Sequence, residues 1–143
     1  MRAVVCDRLG DPSVLKIEDV PVPAIGPADV LIKVGAASVN FPDVLMLTAA
    51  YQHKPELPFI PGMEGAGTIS AVGDDVTGWR AGDRVIFGVR PGAFAEYVRV
   101  PASGNLMRLP SGCMLNLLPL PIRANTRDWT SGLTNGFIRP MRP

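Results

Sequence analysis

Pro61-Gly62-Met63-Glu64-Gly65-Ala66-Gly67-Thr68-Ile69-Ser70-Ala71-Val72-Gly73-Asp74-Asp75-Val76-Thr77-Gly78-Trp79-Arg80-Ala81-Gly82-Asp83-Arg84-Val85 is the stretch whose reading decides the fold. Glycine recurs in it beside short β-prone runs, which suits close-packed strands joined by tight turns, because a residue without Cβ lets backbones approach. Gly73-Asp74-Asp75 and Ala81-Gly82-Asp83 read as turns, with aspartate able to bond its own backbone. Thr68–Val72 and Arg84–Phe87 read as the strands they connect. Glu64 is the one charge in the apolar, glycine-rich opening of this stretch. Its carboxylate must be exposed, paired, or close to something it serves.

Upstream, Ala3-Val4-Val5 and Leu15-Lys16-Ile17-Glu18 are strand candidates around a turn at Gly10-Asp11-Pro12. Val20-Pro21-Val22-Pro23 reads as extended linker, since neither proline can donate to a ladder. After a turn at Gly26–Asp29, Val30, Ile32 and Val34 alternate with Leu31 and Lys33, the period of a strand buried mainly on one side. Asn40 then suits a helix N-cap, Pro42 the first turn, and Asp43 the positive helix start. A short helix is expected over 41–48, followed by a proline-stiffened loop at His53–Pro58. Downstream, Ala93–Val100 is the last convincing strand, opened by Pro91-Gly92 and stopped by Pro101. Many short strands and one or two short helices predict a mainly β, partly open barrel.

The 143 residues suffice for one domain with a core, and 15 Gly with 15 Pro disfavour long helices. A net charge of +1 gives no electrostatic reason for a nucleic-acid or membrane partner. No apolar run approaches the ~18 residues of a membrane span. Asp7 comes too early for a secretory signal. Cys6 and Cys113 are too few for a disulfide framework and fit a reducing compartment, so a cytoplasmic location is expected. Cys6, on the first strand, is expected to be buried and inert.

The glycine-rich stretch also carries a resemblance. Pro-Gly-Met-Glu-Gly-Ala-Gly, followed by Val-Gly-Asp-Asp-Val-Thr-Gly-Trp-Arg-Ala-Gly-Asp-Arg-Val, resembles the N-terminal half of the medium-chain dehydrogenase/reductase family. It is most similar there to the zinc-free NADPH:quinone oxidoreductases. The resemblance spans Met1 to about Pro110 and implies a GroES-like barrel over 1–110. Many relatives hold a catalytic zinc with a cysteine after the Val-rich strand and a histidine in a Gly-His-Glu triplet. The matching positions here are Asn40 and Met63, which offer neither thiolate nor imidazole. The four-cysteine lobe for a structural zinc is missing as well, and no metal is expected. What remains suits direct hydride transfer from NADPH to a quinone-like acceptor.

The resemblance also points to site residues. Asn40 and Asp43 match positions lining the active cleft, Asn40 beside the nicotinamide ribose as a cofactor-binding residue and Asp43 as a catalytic one. Read from local sequence alone, the two are a capping pair, and both readings stand open. Tyr51 matches an aromatic that faces the substrate, with a phenol able to donate to a quinone oxygen; the alternative is an aromatic packed on its own loop. Glu64 resembles the glutamate beside the metal position, and without metal it is expected to accept from backbone amides of the glycine turns. Met46 and Met63 are either apolar cleft wall or core.

Residues 111–143 differ from the body. From Met1 to Pro110, 10 Lys/Arg stand against 12 Asp/Glu; beyond it Arg123, Arg127, Arg139 and Arg142 face Asp128 alone. No helical or strand periodicity holds there for a useful length. Nothing in it offers Gly-x-Gly-x-x-Gly or the ~30 residues of a strand–helix–strand unit, so no Rossmann domain is expected. The tail is expected to be a frameshifted or truncated reading of a longer gene, the alternative being a genuine short protein with a loosely ordered tail. Three roles follow. The first is a truncated substrate-side domain of an NADPH-dependent quinone oxidoreductase, inactive alone. The second is a non-catalytic binding module that self-associates through an exposed barrel face. The third is a subunit that docks a separate Rossmann chain.

Overall fold

The computed structural model describes residues 1–109. The boundary at Pro110 and every expectation for 111–143, Cys113 included, lie outside the described residues. Strand β1 (Arg2–Cys6) pairs antiparallel with β2 (Leu15–Asp19) in a two-stranded sheet. A single 3-10 turn at Pro12–Val14 joins them, started by Asp11, whose carboxylate accepts from the Ser13 amide at 2.8 Å. The remaining strands are β3 (Asp29–Ala37), β4 (Glu64–Val72), β5 (Arg84–Gly88), β6 (Tyr97–Pro101) and β7 (Leu106–Arg108). They form an antiparallel five-stranded sheet in the order β6-β3-β4-β5-β7. Helix α1 (Phe41–Leu47) lies between β3 and β4 in the chain. The architecture is mainly β and open, with no Rossmann layer among the described residues.

Alternation sets which side chains enter the core. Val30 and Ile32 of β3 are fully buried, while Lys33 on the opposite face is exposed. They meet Ile69, Val85, Phe87, Ala93, Val98 and Val100 in the main cluster. Burying one such aliphatic or aromatic side chain stabilises the fold by about 1.5–3 kcal/mol. A second cluster of Cys6, Val14, Met46, Leu47 and Phe59 fastens α1 to the small sheet. Single bridges Ala3–Ala95 and Cys6–Phe59 tie β1 to the rest. No described helix is long and apolar enough to cross a membrane.

Three elements depart from expectation. Strand β4 begins at Glu64, four residues before Thr68, so Gly65 and Gly67 lie inside the ladder. A Cβ on Gly67 would stand 2.2 Å from the Lys33 carbonyl oxygen, and β3 is bulged between Val34 and Ala36 at this crossing. The glycines serve close approach within strands there rather than a turn. The run Ala93–Val100 is strand only from Tyr97 onward. Its first half bonds to β1, with the Val4 amide donating to the Phe94 carbonyl at 2.8 Å and the Glu96 amide to the Arg2 carbonyl at 3.0 Å, while the Glu96 carbonyl still accepts from Val34 of β3 at 2.9 Å. Ala93–Val100 is also not the last strand, because β7 adds an edge beside β5.

Candidate functional site

The site is built where α1 begins beside the first residues of β4. Asn40 is the N-cap, in extended backbone geometry, and Asp43 three residues on closes the reciprocal half of a capping box. Asp43 Oδ2 accepts from the Asn40 amide at 2.7 Å. Its Oδ1 accepts from the Gly62 amide at 3.1 Å, so one carboxylate staples the helix start to the turn that launches β4. Gly62 holds φ at +93°, and a Cβ there would come within 2.5 Å of the Phe94 ring. Only glycine makes that turn without strain. Its carbonyl also receives the amides of Gly92 and Ala93 at 2.9 and 3.0 Å.

Asp43 is 3% exposed. Burial pushes its carboxyl above the ordinary value and repulsion from Glu64 adds to this, while the Asn40 and Gly62 amides oppose it. Its two bonded oxygens make it a holder of backbone in this arrangement.

Glu64 does not take up amides of the glycine turns, as its sequence setting suggested. Its Oε1 accepts from Asn40 Nδ2 at 3.1 Å, across 24 residues of chain. The reason is positional: Glu64 is the first residue of β4, its carbonyl accepts from Ser38 at 3.2 Å, and its side chain comes to the end of β3 where Asn40 stands. Glu64 and Met63 in turn border an open groove of about 630 Å³ over the β5–β7 edge, lined further by Ile86, Arg90, Asn105 and Met107. Asn40 thus reaches the border of this groove only through Glu64, and the groove itself mixes apolar and polar side chains.

Tyr51 is not among the residues lining this groove. Its amide donates to Leu45 at 3.2 Å beyond the helix end, and its half-buried ring packs on the cluster of Cys6, Met46 and Phe59. Met63 packs on the same cluster and also lines the groove. Met46, at 1% exposure, is core, whereas Met63 is wall. Cys6 is buried, its Sγ donates to the Arg8 carbonyl at 3.1 Å, and burial raises its thiol above the ordinary value, the state of an unreactive cysteine.

Sequence reasoning missed Phe41, 72% exposed beside Asn40, and Met107, 63% exposed on β7. It also missed Arg90 and Asn105, which lie in the bends after β5 and before β7, where no side-chain period operates. Among the described residues no three His, Cys, Asp or Glu side chains gather as a metal site. Asn40, Met63 and Glu64 offer an amide, a thioether and a carboxylate, a donor set that does not fit zinc.

Residues 26–111 match the alcohol dehydrogenase GroES-like domain. The chain belongs to that family. This GroES-like domain is similar to the quinone oxidoreductase of Lama guanicoe, 41% identical over 112 residues that cover 77% of the chain and 34% of that protein. Among solved structures it is similar to the quinone oxidoreductase of Pseudomonas syringae pv. Tomato DC3000, with a TM-score of 0.74 and 36% identity over 80% of the chain and 35% of that structure. It is similar too to the quinone oxidoreductase of Thermus thermophilus, also solved in complex with NADPH, with a TM-score of 0.67 and 37% identity over 80% of the chain and 34% of that structure. The chain spans about a third of the length of these relatives.

Proposed function

We propose that this GroES-like domain is the acceptor-side half of an NADPH-dependent quinone oxidoreductase that works without zinc and turns over only with a dinucleotide-holding domain. The observation that supports it most is the open groove bordered by Met63 and by Glu64, which is bonded to Asn40 at the start of α1. By resemblance Asn40 and Met63 stand at the positions where metal-dependent relatives keep a cysteine and a histidine, with Glu64 beside them, and kinship to quinone oxidoreductases agrees with the reading. Cytoplasmic residence is part of the same proposal and rests on the sparse cysteines.

When bound, NADPH supplies the hydride. The chain's own residues bind and orient around that transfer. Asn40 takes a hydrogen bond at the nicotinamide ribose side. Asp43 acts at one remove, fixing the Asn40 backbone and the Gly62 turn. Tyr51 Oη donates toward the carbonyl oxygen of the acceptor. Met63, Ile86 and Met107 give the flat ring an apolar bed and exclude water from it. An acceptor that gains charge on its own ring oxygens needs little further acid–base help, which fits a site without a metal.

A second reading has one observation in its favour. Phe41 and Met107 are large apolar side chains left facing solvent, as on a surface that another chain or domain covers. Under it the domain is a non-catalytic module that self-associates through such exposed apolar side chains.

Titrating the 143-residue chain with a water-soluble naphthoquinone, followed by NMR of the Met63, Ile86 and Met107 methyl groups, separates the two. Saturable shifts confined to the groove methyls are expected. A defined oligomer by light scattering with no quinone-induced shift would favour the module.

A further inference from the structure

We infer that the groove over the β5–β7 edge takes an aromatic acceptor bearing a carboxylate-like group, which Arg90 holds while the ring lies on Ile86 and Met107. The inference deepens the reading of this groove as the acceptor side and rests on it. A missing side chain opens the groove. Along β5, Val85 and Phe87 enter the core at 0% and 1% exposure, and Ile86 between them faces out at 38%. Gly88 is the next outward position. It pairs with Glu64 of β4, and its amide donates to the Asn105 carbonyl at 3.0 Å. Its φ is not positive, so the backbone does not require glycine there. A Cβ at this position would stand 3.3 Å from Asn105 Cβ and 3.5 Å from its Nδ2. Glycine at 88 therefore supplies room, between Glu64 on one side and the amide of Asn105 on the other.

The charges on the groove decide what enters. Arg90 borders it two residues past the end of β5, exposed and without an ion pair or hydrogen-bond partner among the described residues. Arg2, Arg80, Arg99 and Arg108, by contrast, each pair with a carboxylate. Glu64, the groove's other charge, forms no ion pair with Arg90, and its Oε1 accepts from Asn40. Two unlike charges that line one groove without meeting give it a direction. An anionic group is drawn to Arg90 and repelled at Glu64, so the ligand enters in one orientation. A guanidinium offers a planar fork of N–H donors that matches both oxygens of a carboxylate. Asn105 adds an amide beside the gap at Gly88, and Ile86 pairs with Met107 across β5 and β7 to carry the ring.

The test uses the full 143-residue chain and two isosteric probes, 2-naphthoate and the neutral 2-naphthamide, followed by NMR of the Met63, Ile86 and Met107 methyl groups. The carboxylate is expected to bind at least about threefold more tightly than the amide, the scale of an exposed charge pair. Raising the ionic strength from about 0.01 to about 0.15 M should shrink that gap, because the Debye length falls from about 30 to about 8 Å. Arg90→Gln should bring the carboxylate down to the affinity of the amide. Gly88→Val should remove the shifts of both probes at Ile86 and Met107. The buried Val30 and Ile69 methyls should keep their positions in that variant, which separates filling of the groove from unfolding. A gap that survives Arg90→Gln, or groove shifts that persist in Gly88→Val, would overturn the inference. Amide binding with no gain for the carboxylate removes the inference and leaves the groove reading in place. Carboxylate binding that depends on Arg90, with no amide binding, upholds the inference and takes a neutral quinone out of the groove reading. Binding of neither probe overturns both.

Discussion

Asp43 accepts two backbone amides in a buried setting, and that makes its substitution informative in two ways. An asparagine at this position can accept from only one of Asn40 and Gly62 and turns a donor toward the other. Asp43→Asn should therefore destabilise the domain by about 1–3 kcal/mol in denaturant unfolding. The pH dependence has a definite sign. A carboxyl held above its ordinary value keeps its proton more tightly in the folded chain than in the unfolded one. Its contribution to stability is then lost as pH rises from about 4 through the raised value, and regained as pH falls. The stability gap between the parent chain and Asp43→Asn should narrow over that rise. A gap that widens would mean that the two amides outweigh burial. Glu96 and Asp7 lie below their ordinary values, Glu96 mainly through the Arg2 amide and Asp7 mainly through its bond to Lys16, so they act in the opposite sense at lower pH.

At the scale of elements, much of the fold could be read from the chain, and the parts that could not share a cause. The alternation at Val30, Ile32 and Val34 gave β3, and Asn40 with Pro42 and Asp43 gave the start of α1, because both signals are local. The early start of β4 was hidden, since Gly65-Ala66-Gly67 has no side-chain period to show and joins the ladder through a bulge in its neighbour. The Asn40–Glu64 pair was hidden for the same reason. It exists because β3 and β4 cross at that bulge, which no window of sequence spans. The splitting of Ala93–Val100 depends on β1, at the far end of the described chain. Gly67→Ala tests the crossing directly. With the Lys33 carbonyl 2.2 Å from the added Cβ, the strands must part. A loss of about 1–3 kcal/mol is expected, with the greatest weakening of amide protection at the β3–β4 pairing; an unperturbed ladder would mean that the strands lie further apart.

At the scale of the whole molecule, the described residues make a mainly β domain with a core of its own, and Phe41 and Met107 are among the large apolar side chains it keeps in solvent. Phe41→Ser should change stability by no more than about 0.5 kcal/mol, since a side chain 72% exposed contributes little to the core. Under the proposed function it should nevertheless weaken association with a dinucleotide-holding domain, measurable by titration calorimetry; an unchanged affinity would remove Phe41 from that contact. The most direct measurement fuses residues 1–109 to the nucleotide-binding portion of the Thermus thermophilus quinone oxidoreductase and follows NADPH oxidation with a simple quinone, beside the unfused chain. Quinone-dependent oxidation by the fusion, reduced at least about tenfold in kcat/KM by Asn40→Ala and absent from the chain alone, is the predicted result. A fusion that folds and binds NADPH but never reduces the quinone would contradict the account, as would robust turnover by the chain by itself.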